Sequence, residues 1–156
     1  MRALALVAAA ILIIDQASKY YVVHVLNLIE VGRIDVAPPY LNFIMAWNRG
    51  INFGLGASGA DWARWALIAV ALAISAGVLI WALKRREFWF NIGAGVVIGG
   101  AIGNVIDRIQ YGAVADFLNM SCCGINNPFV FNVADIAIFA GAALLIFFSG
   151  EKKPEG

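Results

Sequence analysis

Charged side chains are scarce in this chain. Six of them are the candidates for chemistry: Asp15, Lys19 and Asp135 within long apolar stretches, Asp107 and Arg108 at the end of one, and Asp116 shortly after it. An ionisable group inside a membrane segment is costly and marks a functional site by default. The spacings place these groups on common helix faces. Asp15 and Lys19 are four apart in the favourable acid-first order, and Asn104 stands three before Asp107 and four before Arg108. Asn132 stands three before Asp135. With a helix starting near residue 129, Asp135 lies about 9 Å below the surface at a rise of about 1.5 Å per residue. An isolated carboxylate there tends to stay protonated. Beside a second carboxylate, one proton is shared between the two. Asp116, within Val114-Ala115-Asp116-Phe117, is the expected partner, because its apolar flanks let it fold back onto the membrane face. Two carboxylates sharing a proton can activate a water and protonate a leaving amine, the chemistry of aspartic proteases. The plainer alternatives are structural ion pairs, Asp15 with Lys19 and Asp107 with Arg108, and a carboxyl at Asp135 satisfied by hydrogen bonds.

Composition says what must position these groups. Of 156 residues ten are acidic and eleven basic, so 13% are charged, and 62% are hydrophobic. An average soluble domain has about 25% charged residues, and so few charges cannot clothe a soluble globule. The chain therefore reads as a membrane protein. A net charge of +1 excludes a strong electrostatic preference for nucleic acid. No metal and no cofactor are expected: the one histidine is His24, and no His-Glu-x-x-His motif is present.

Four apolar stretches, at about residues 3–26, 62–83, 88–106 and 129–148, each approach the roughly 20 residues that a spanning helix needs. The first is expected to stay as a helix rather than be removed as a secretory signal, since Asp15-Gln16 follows the apolar run with no small-x-small pattern before it. Arg2, Lys84-Arg85-Arg86 and Lys152-Lys153 fall on one side if all four stretches span. By the positive-inside rule that side is cytoplasmic, with both termini inside. The carboxylates, Lys19 and Arg108 then gather toward the outer leaflet. Two outer segments, about 27–61 and 107–128, complete a single membrane domain covering residues 1–156. The partial alternation over 28–36 and the aromatic run 40–47 predict short strands around turns, one of them Asn48-Arg49-Gly50. Gly95, Gly99 and Gly103 form a small-xxx-small series that predicts close helix packing. His24 is expected at the membrane interface. Cys122-Cys123 reads as two thiols rather than a strained vicinal disulfide. Asn119-Met120-Ser121 fits a glycosylation sequon and is read as chance.

Four segments together closely resemble the lipoprotein signal peptidase (signal peptidase II) family. They are Asp15-Gln16-Ala17-Ser18-Lys19; Asn48-Arg49-Gly50-Ile51-Asn52-Phe53-Gly54; Gly103-Asn104-Val105-Ile106-Asp107-Arg108 running on to Asp116; and Phe131-Asn132-Val133-Ala134-Asp135. The resemblance implies an all-α polytopic protein of the bacterial inner membrane. Four transmembrane helices would carry a small extracytoplasmic β-cradle and a short interfacial helix. It implies an aspartic endopeptidase that cleaves prolipoproteins just before a diacylglyceryl-modified cysteine and is blocked by globomycin. The family's catalytic aspartates match Asp116 and Asp135. Its supporting polar residues match Asp15, Lys19, Asn48, Asn104, Asp107, Arg108 and Asn132, with Gly50 in the first-loop motif. Ile51-Asn52 departs from the small residues that often follow that motif. The expected partners are lipidated prolipoproteins, membrane phospholipid and globomycin-type inhibitors, with no nucleic acid and the chain acting as a monomer. Gly50, Gly54, Gly56 and Gly59 suit a lid over the site.

Two rival classes remain open from sequence. A small proton-coupled transporter subunit would also use membrane carboxylates, but the polar groups sit in one leaflet and no half-bundle repeats. A non-catalytic membrane scaffold would not need both Asp116 and Asp135. A Ser18–Lys19 dyad is disfavoured, since adjacent helix residues do not face each other.

Overall fold

The computed structural model of the chain describes residues 1–50, 60–122, 124 and 127–150. Helix α1 (Arg2–Tyr20) runs into a π-helical turn (Tyr21–Val25), followed by α2 (Leu28–Val31), β1 (Arg33–Ala37) and β2 (Leu41–Asn48). Then come α3 (Ala60–Arg85), α4 (Phe88–Tyr111), β3 (Val114–Met120) and α5 (Val133–Phe148). In lipid every backbone N–H must be bonded internally, so apolar runs of this length fold as helices. Arg2–Val25, Asp61–Arg85 and Phe88–Tyr111 are long and apolar enough to cross a membrane; Val133–Phe148 is apolar but shorter.

Helix α4 is the centre of the bundle, packed against α1, α3 and α5. Its glycines make this possible. Ideal Cβ atoms placed on Gly95 and Gly99 would lie 2.7 Å from the Leu4 carbonyl and 2.6 Å from the Ala8 carbonyl of α1. On another face of the helix, a Cβ on Gly100 would lie 2.6 Å from the Ala134 carbonyl of α5. Two of the three glycines in the small-xxx-small series, Gly95 and Gly99, thus make the close helix packing that the spacing predicts, backbone to backbone. Replacing Gly99 by Ala forces two helix backbones apart and is expected to cost about 1–3 kcal/mol. Gly77 of α3 has nothing within 4 Å of its Cβ position. Gly77→Ala, in a helix interior, is expected to gain about 0.5–1 kcal/mol. Thermal unfolding of both variants in one detergent checks the opposite signs.

The strands form one antiparallel sheet in the order β1-β2-β3. Val22, Leu28 and Phe117 bury together and bind the sheet to the end of the bundle, with Phe43 edge-on to Phe117 at 5.7 Å. Strand β2 falls where the aromatic run predicts it. Leu28–Val31 is instead a helical turn: Asn27 adopts a left-handed conformation, and its carbonyl accepts from the N–H groups of Glu30 and Val31. The first strand therefore starts at Arg33.

Two helix boundaries differ from the sequence reading, and both bear on the site. Helix α4 continues past residue 106 to Tyr111, so Asp107 and Arg108 are helical; it stops at Gly112, whose left-handed φ of 75° ends the helix. Helix α5 starts at Val133, not near 129, because the Phe131 backbone pairs with Leu118 of β3. Asn132 caps α5 in a reciprocal capping box: its Oδ1 accepts from the Asp135 N–H at 2.9 Å, and its own N–H donates to Asp135 Oδ2 at 3.3 Å. Asp135 therefore sits in the first helical turn, not six residues deep.

Candidate active site

Four elements bring the polar groups together where the helices meet the sheet. Asp15, Gln16 and Lys19 come from α1, Asn104, Asp107 and Arg108 from α4, Asp116 from β3, and Asn132 and Asp135 from the start of α5. Gly103 makes room for the first of these, since a Cβ there would collide with the Asp15 carboxylate.

Lys19 is the hub. Its Nζ lies 2.8 Å from Asp15 Oδ2, 2.8 Å from Asp107 Oδ2 and 3.2 Å from Asn104 Oδ1. The Asp15–Lys19 pair predicted from i,i+4 spacing is thus present. The predicted Asp107–Arg108 pair is not: Asp107 turns to Lys19 across the helix interface. Neighbouring side chains on a helix diverge, and Arg108 instead donates to the Asn104 carbonyl at 3.4 Å, within electrostatic reach of Asp135 and Asp116.

Each of the two paired carboxylates then holds a backbone N–H. Asp15 Oδ1 accepts from Ala134 N at 2.9 Å, one residue before Asp135. Asp107 Oδ2 accepts from Ala115 N at 3.1 Å, one residue before Asp116. Gln16 Nε2 ties the pair together, 3.0 Å from Asp107 Oδ1 and 3.1 Å from Asp15 Oδ2. Gln16 belongs to the first motif but was not singled out as a site residue. A polar amide inside an apolar helix was the available signal.

Asn104 and Asn132 link this clamp to the second carboxylate pair. Asn104 Nδ2 donates to Asp135 Oδ1 at 2.9 Å. Asn132 Nδ2 donates to Asp116 Oδ1 at 2.6 Å and lies 3.3 Å from Asn104 Oδ1. Through its own cap, Asn132 therefore joins Asp116 to Asp135. Burial, and then the negative charge of Asp135, push the Asp116 carboxyl up to about 6, while hydrogen bonds from Asn48 and Asn132 pull it back.

A carboxyl raised in the folded state stabilises the fold below its unfolded value of 3.8, and that contribution disappears as pH rises through about 6. Asp116→Asn removes the dependence and keeps an acceptor for Asn132. It is expected to raise stability at pH 7 by about 2–3 kcal/mol and to leave it unchanged below pH 4. Unfolding midpoints at the two pH values check this.

Asp116 opens onto a cleft of about 360 Å³ between Trp47–Gly50 and Pro128–Val130. The Asn48 turn is built locally: Gly50 N donates to Asn48 Oδ1 at 2.9 Å with φ of 82°, and a Cβ on Gly50 would collide with Leu67 of α3. Asn119, missed as a positioning residue, fixes the opposite wall by donating to the carbonyls of Asn127 and Phe129 at 2.8 and 2.9 Å. His24 is exposed, with its ring 5.6 Å from Tyr20. Gly54, Gly56 and Gly59 of the expected lid, with Ile51-Asn52, lie outside the described residues, as does Cys123 of the expected thiol pair.

Fold and site together define a membrane protein of apolar helices with paired, amide-bridged carboxylates at one end of the bundle. Residues 7–150 match the family model described as Signal peptidase (SPase) II. A lipoprotein signal peptidase of Methylorubrum extorquens is 39% identical over 145 residues, 93% of this chain and 84% of that protein. One from Pseudomonas putida is 39% identical over 137 residues, 86% and 79% of the two chains. A bacterial membrane enzyme solved by the in meso method superposes with a TM-score of 0.76 at 25% identity, covering 97% of this chain and 92% of that one. The chain belongs to the signal peptidase II family and is a multi-pass membrane peptidase. The transporter reading finds no support in these relationships.

Proposed function

We propose that this chain is an aspartic endopeptidase of the bacterial inner membrane that removes signal peptides from prolipoproteins, with Asp116 and Asp135 as the catalytic pair. The observation that carries the assignment is the bridge through Asn132, whose side-chain amide donates to the Asp116 carboxylate and whose backbone N–H donates to that of Asp135, beside an open cleft. In the reaction one carboxylate, ionised, takes a proton from water as the water oxygen adds to the scissile carbonyl carbon. The other, protonated, polarises the carbonyl oxygen. The C–N bond then breaks, the nitrogen takes up a proton, and a carboxylate and a free amine leave. Burial and the charge of Asp135 raise the Asp116 carboxyl to about 6, so it gives and takes a proton more readily near neutral pH than a free carboxyl does. Asn48 and Arg108 hold the substrate backbone by hydrogen bonds, while Asn132, buried with its amide committed, positions the two carboxylates.

The membrane frame supports the same reading. With α5 as a fourth span, Arg2, Lys84-Arg85-Arg86 and both termini fall on the cytoplasmic side, and the sheet and site face the outer leaflet. There the diacylglyceryl cysteine of a substrate can reach the cleft while its acyl chains remain in lipid. The chain acts as a monomer on such substrates, and globomycin-type inhibitors occupy the same cleft. The test is cleavage by the purified chain of a prolipoprotein with and without the lipid on its cysteine. The expected outcome is release of the signal peptide from the lipidated form alone, stopped by globomycin. Equal cleavage of both forms, or none, contradicts the assignment.

A further inference from the structure

A second cleft, of about 250 Å³, opens beside the clamp, where α1 and α4 end. Its floor holds Lys19, Gln16 and Asp107, and Tyr20, Trp47 and Tyr111 stand around it. Neither tyrosine has a part in the peptidase chemistry, and Trp47 also walls the Asp116 cleft. The floor has little to offer an anion. The three N–H groups of Lys19 are committed to Asp15, Asp107 and Asn104, and the Gln16 amide N–H groups to Asp107, Asp15 and the Gly103 carbonyl. Acceptors remain. Among the described residues nothing donates to the Gln16 side-chain carbonyl, and Asp107 Oδ1 takes one bond, from Gln16. Gln110 adds a further side-chain carbonyl on the rim.

The electrostatics agree. Two carboxylates face one ammonium in the clamp, and the negative end of the α4 dipole falls at Tyr111 beside the cleft. The Trp47 and Tyr111 rings lie 5.4 Å apart and tilted by 49°, presenting π faces that attract a cation. Tyr20 and Tyr111 are at least half exposed at the helix ends, the level where lipid headgroups meet aromatic belts.

We propose that this cleft holds one primary ammonium group, supplied by the ethanolamine head of a phospholipid. Three N–H donors with no acceptor match a pocket of spare acceptors and ring faces. The acyl chains then lie along the exposed apolar side of α1, where Leu6, Ile13 and Ile14 face outward.

The test uses the whole chain, purified in detergent and delipidated. It is titrated with phosphatidylethanolamine, with phosphatidylglycerol of the same acyl chains, and with free ethanolamine, and complexes are counted by native mass spectrometry. One phosphatidylethanolamine is expected to bind at about tenfold lower concentration than phosphatidylglycerol, with free ethanolamine displacing it at higher concentration. The double variant Tyr111→Leu, Gln110→Leu is expected to lose the preference while melting and cleaving like the parent. Should it fail to fold, Gln110→Lys, which sets a cation at the rim, is expected to lose the preference as well. Equal occupancy by the two lipids, or a preference that survives in a folded variant, overturns the proposal. Free ethanolamine binding as tightly as the lipid assigns the site to a soluble amine and overturns the lipid source.

Discussion

Asp135→Asn is expected to lower the rate of signal-peptide release by at least about 1000-fold, within the range that removal of a positioned acid or base produces. The protein itself should remain folded. Asp135 receives two hydrogen bonds, from Asn104 Nδ2 at 2.9 Å and from the Asn132 N–H at 3.3 Å. An asparagine side chain offers one oxygen, so one of the two is lost, a cost of about 0.5–1.5 kcal/mol. The cap formed by Asn132 Oδ1 on the Asp135 N–H does not depend on the side chain at 135 and persists. A large loss of rate with a small loss of stability is thus the signature of a chemical role. Turnover and melting temperature measured on the same preparation check it. A variant that keeps the parent rate removes Asp135 from the chemistry.

Lys19→Met has the largest expected effect on stability. Asp15 and Asp107 are 0% and 1% exposed, and Lys19 is the cation between them. Removing it leaves two carboxylates buried close together without compensation, which costs about 3–5 kcal/mol. The damage reaches the chemistry. Asp15 and Asp107 hold the N–H groups just before Asp135 and Asp116, and a carboxylate that takes up a proton or moves releases its anchor. Lys19→Met is therefore expected to lower both melting temperature and turnover. Adding Asp107→Asn removes one of the stranded charges and is expected to recover part of the stability. Thermal unfolding of the parent, the single and the double variant checks the order. A single variant as stable as the parent would show that the clamp carries no energy.

Much of this was legible in the residues. Uninterrupted apolar runs predict the helices, because lipid leaves the backbone no other way to bond. Asp15 and Lys19 meet because four residues are one helical turn. The motif segments marked the groups that the fold gathers. What could not be read depends on pairing between distant segments. Lys19 reaches Asp107 across an interface, a contact that spacing within α4 does not encode, so the nearer Arg108 looked like the partner. Strand β3 escaped because Val114-Ala115-Asp116-Phe117 is buried throughout, and a strand buried on both faces shows no alternation. The start of α5 was placed too early because Phe129-Val130-Phe131 is as apolar as the helix behind it, although the Phe131 backbone pairs with the sheet. That error set Asp135 deep in the membrane, whereas the capping box holds it in the first turn.

The central claim is that Asp116 and Asp135 act as one unit on the scissile bond. Its most direct test compares turnover of a lipidated prolipoprotein by the parent, by Asp116→Asn, by Asp135→Asn and by the double variant. Groups that act as a unit are not additive in their loss. Each single variant is predicted to fall to about the level of the double, by at least about 1000-fold. Single losses that multiply in the double variant, or parent-like turnover in either single one, would contradict a shared-proton pair.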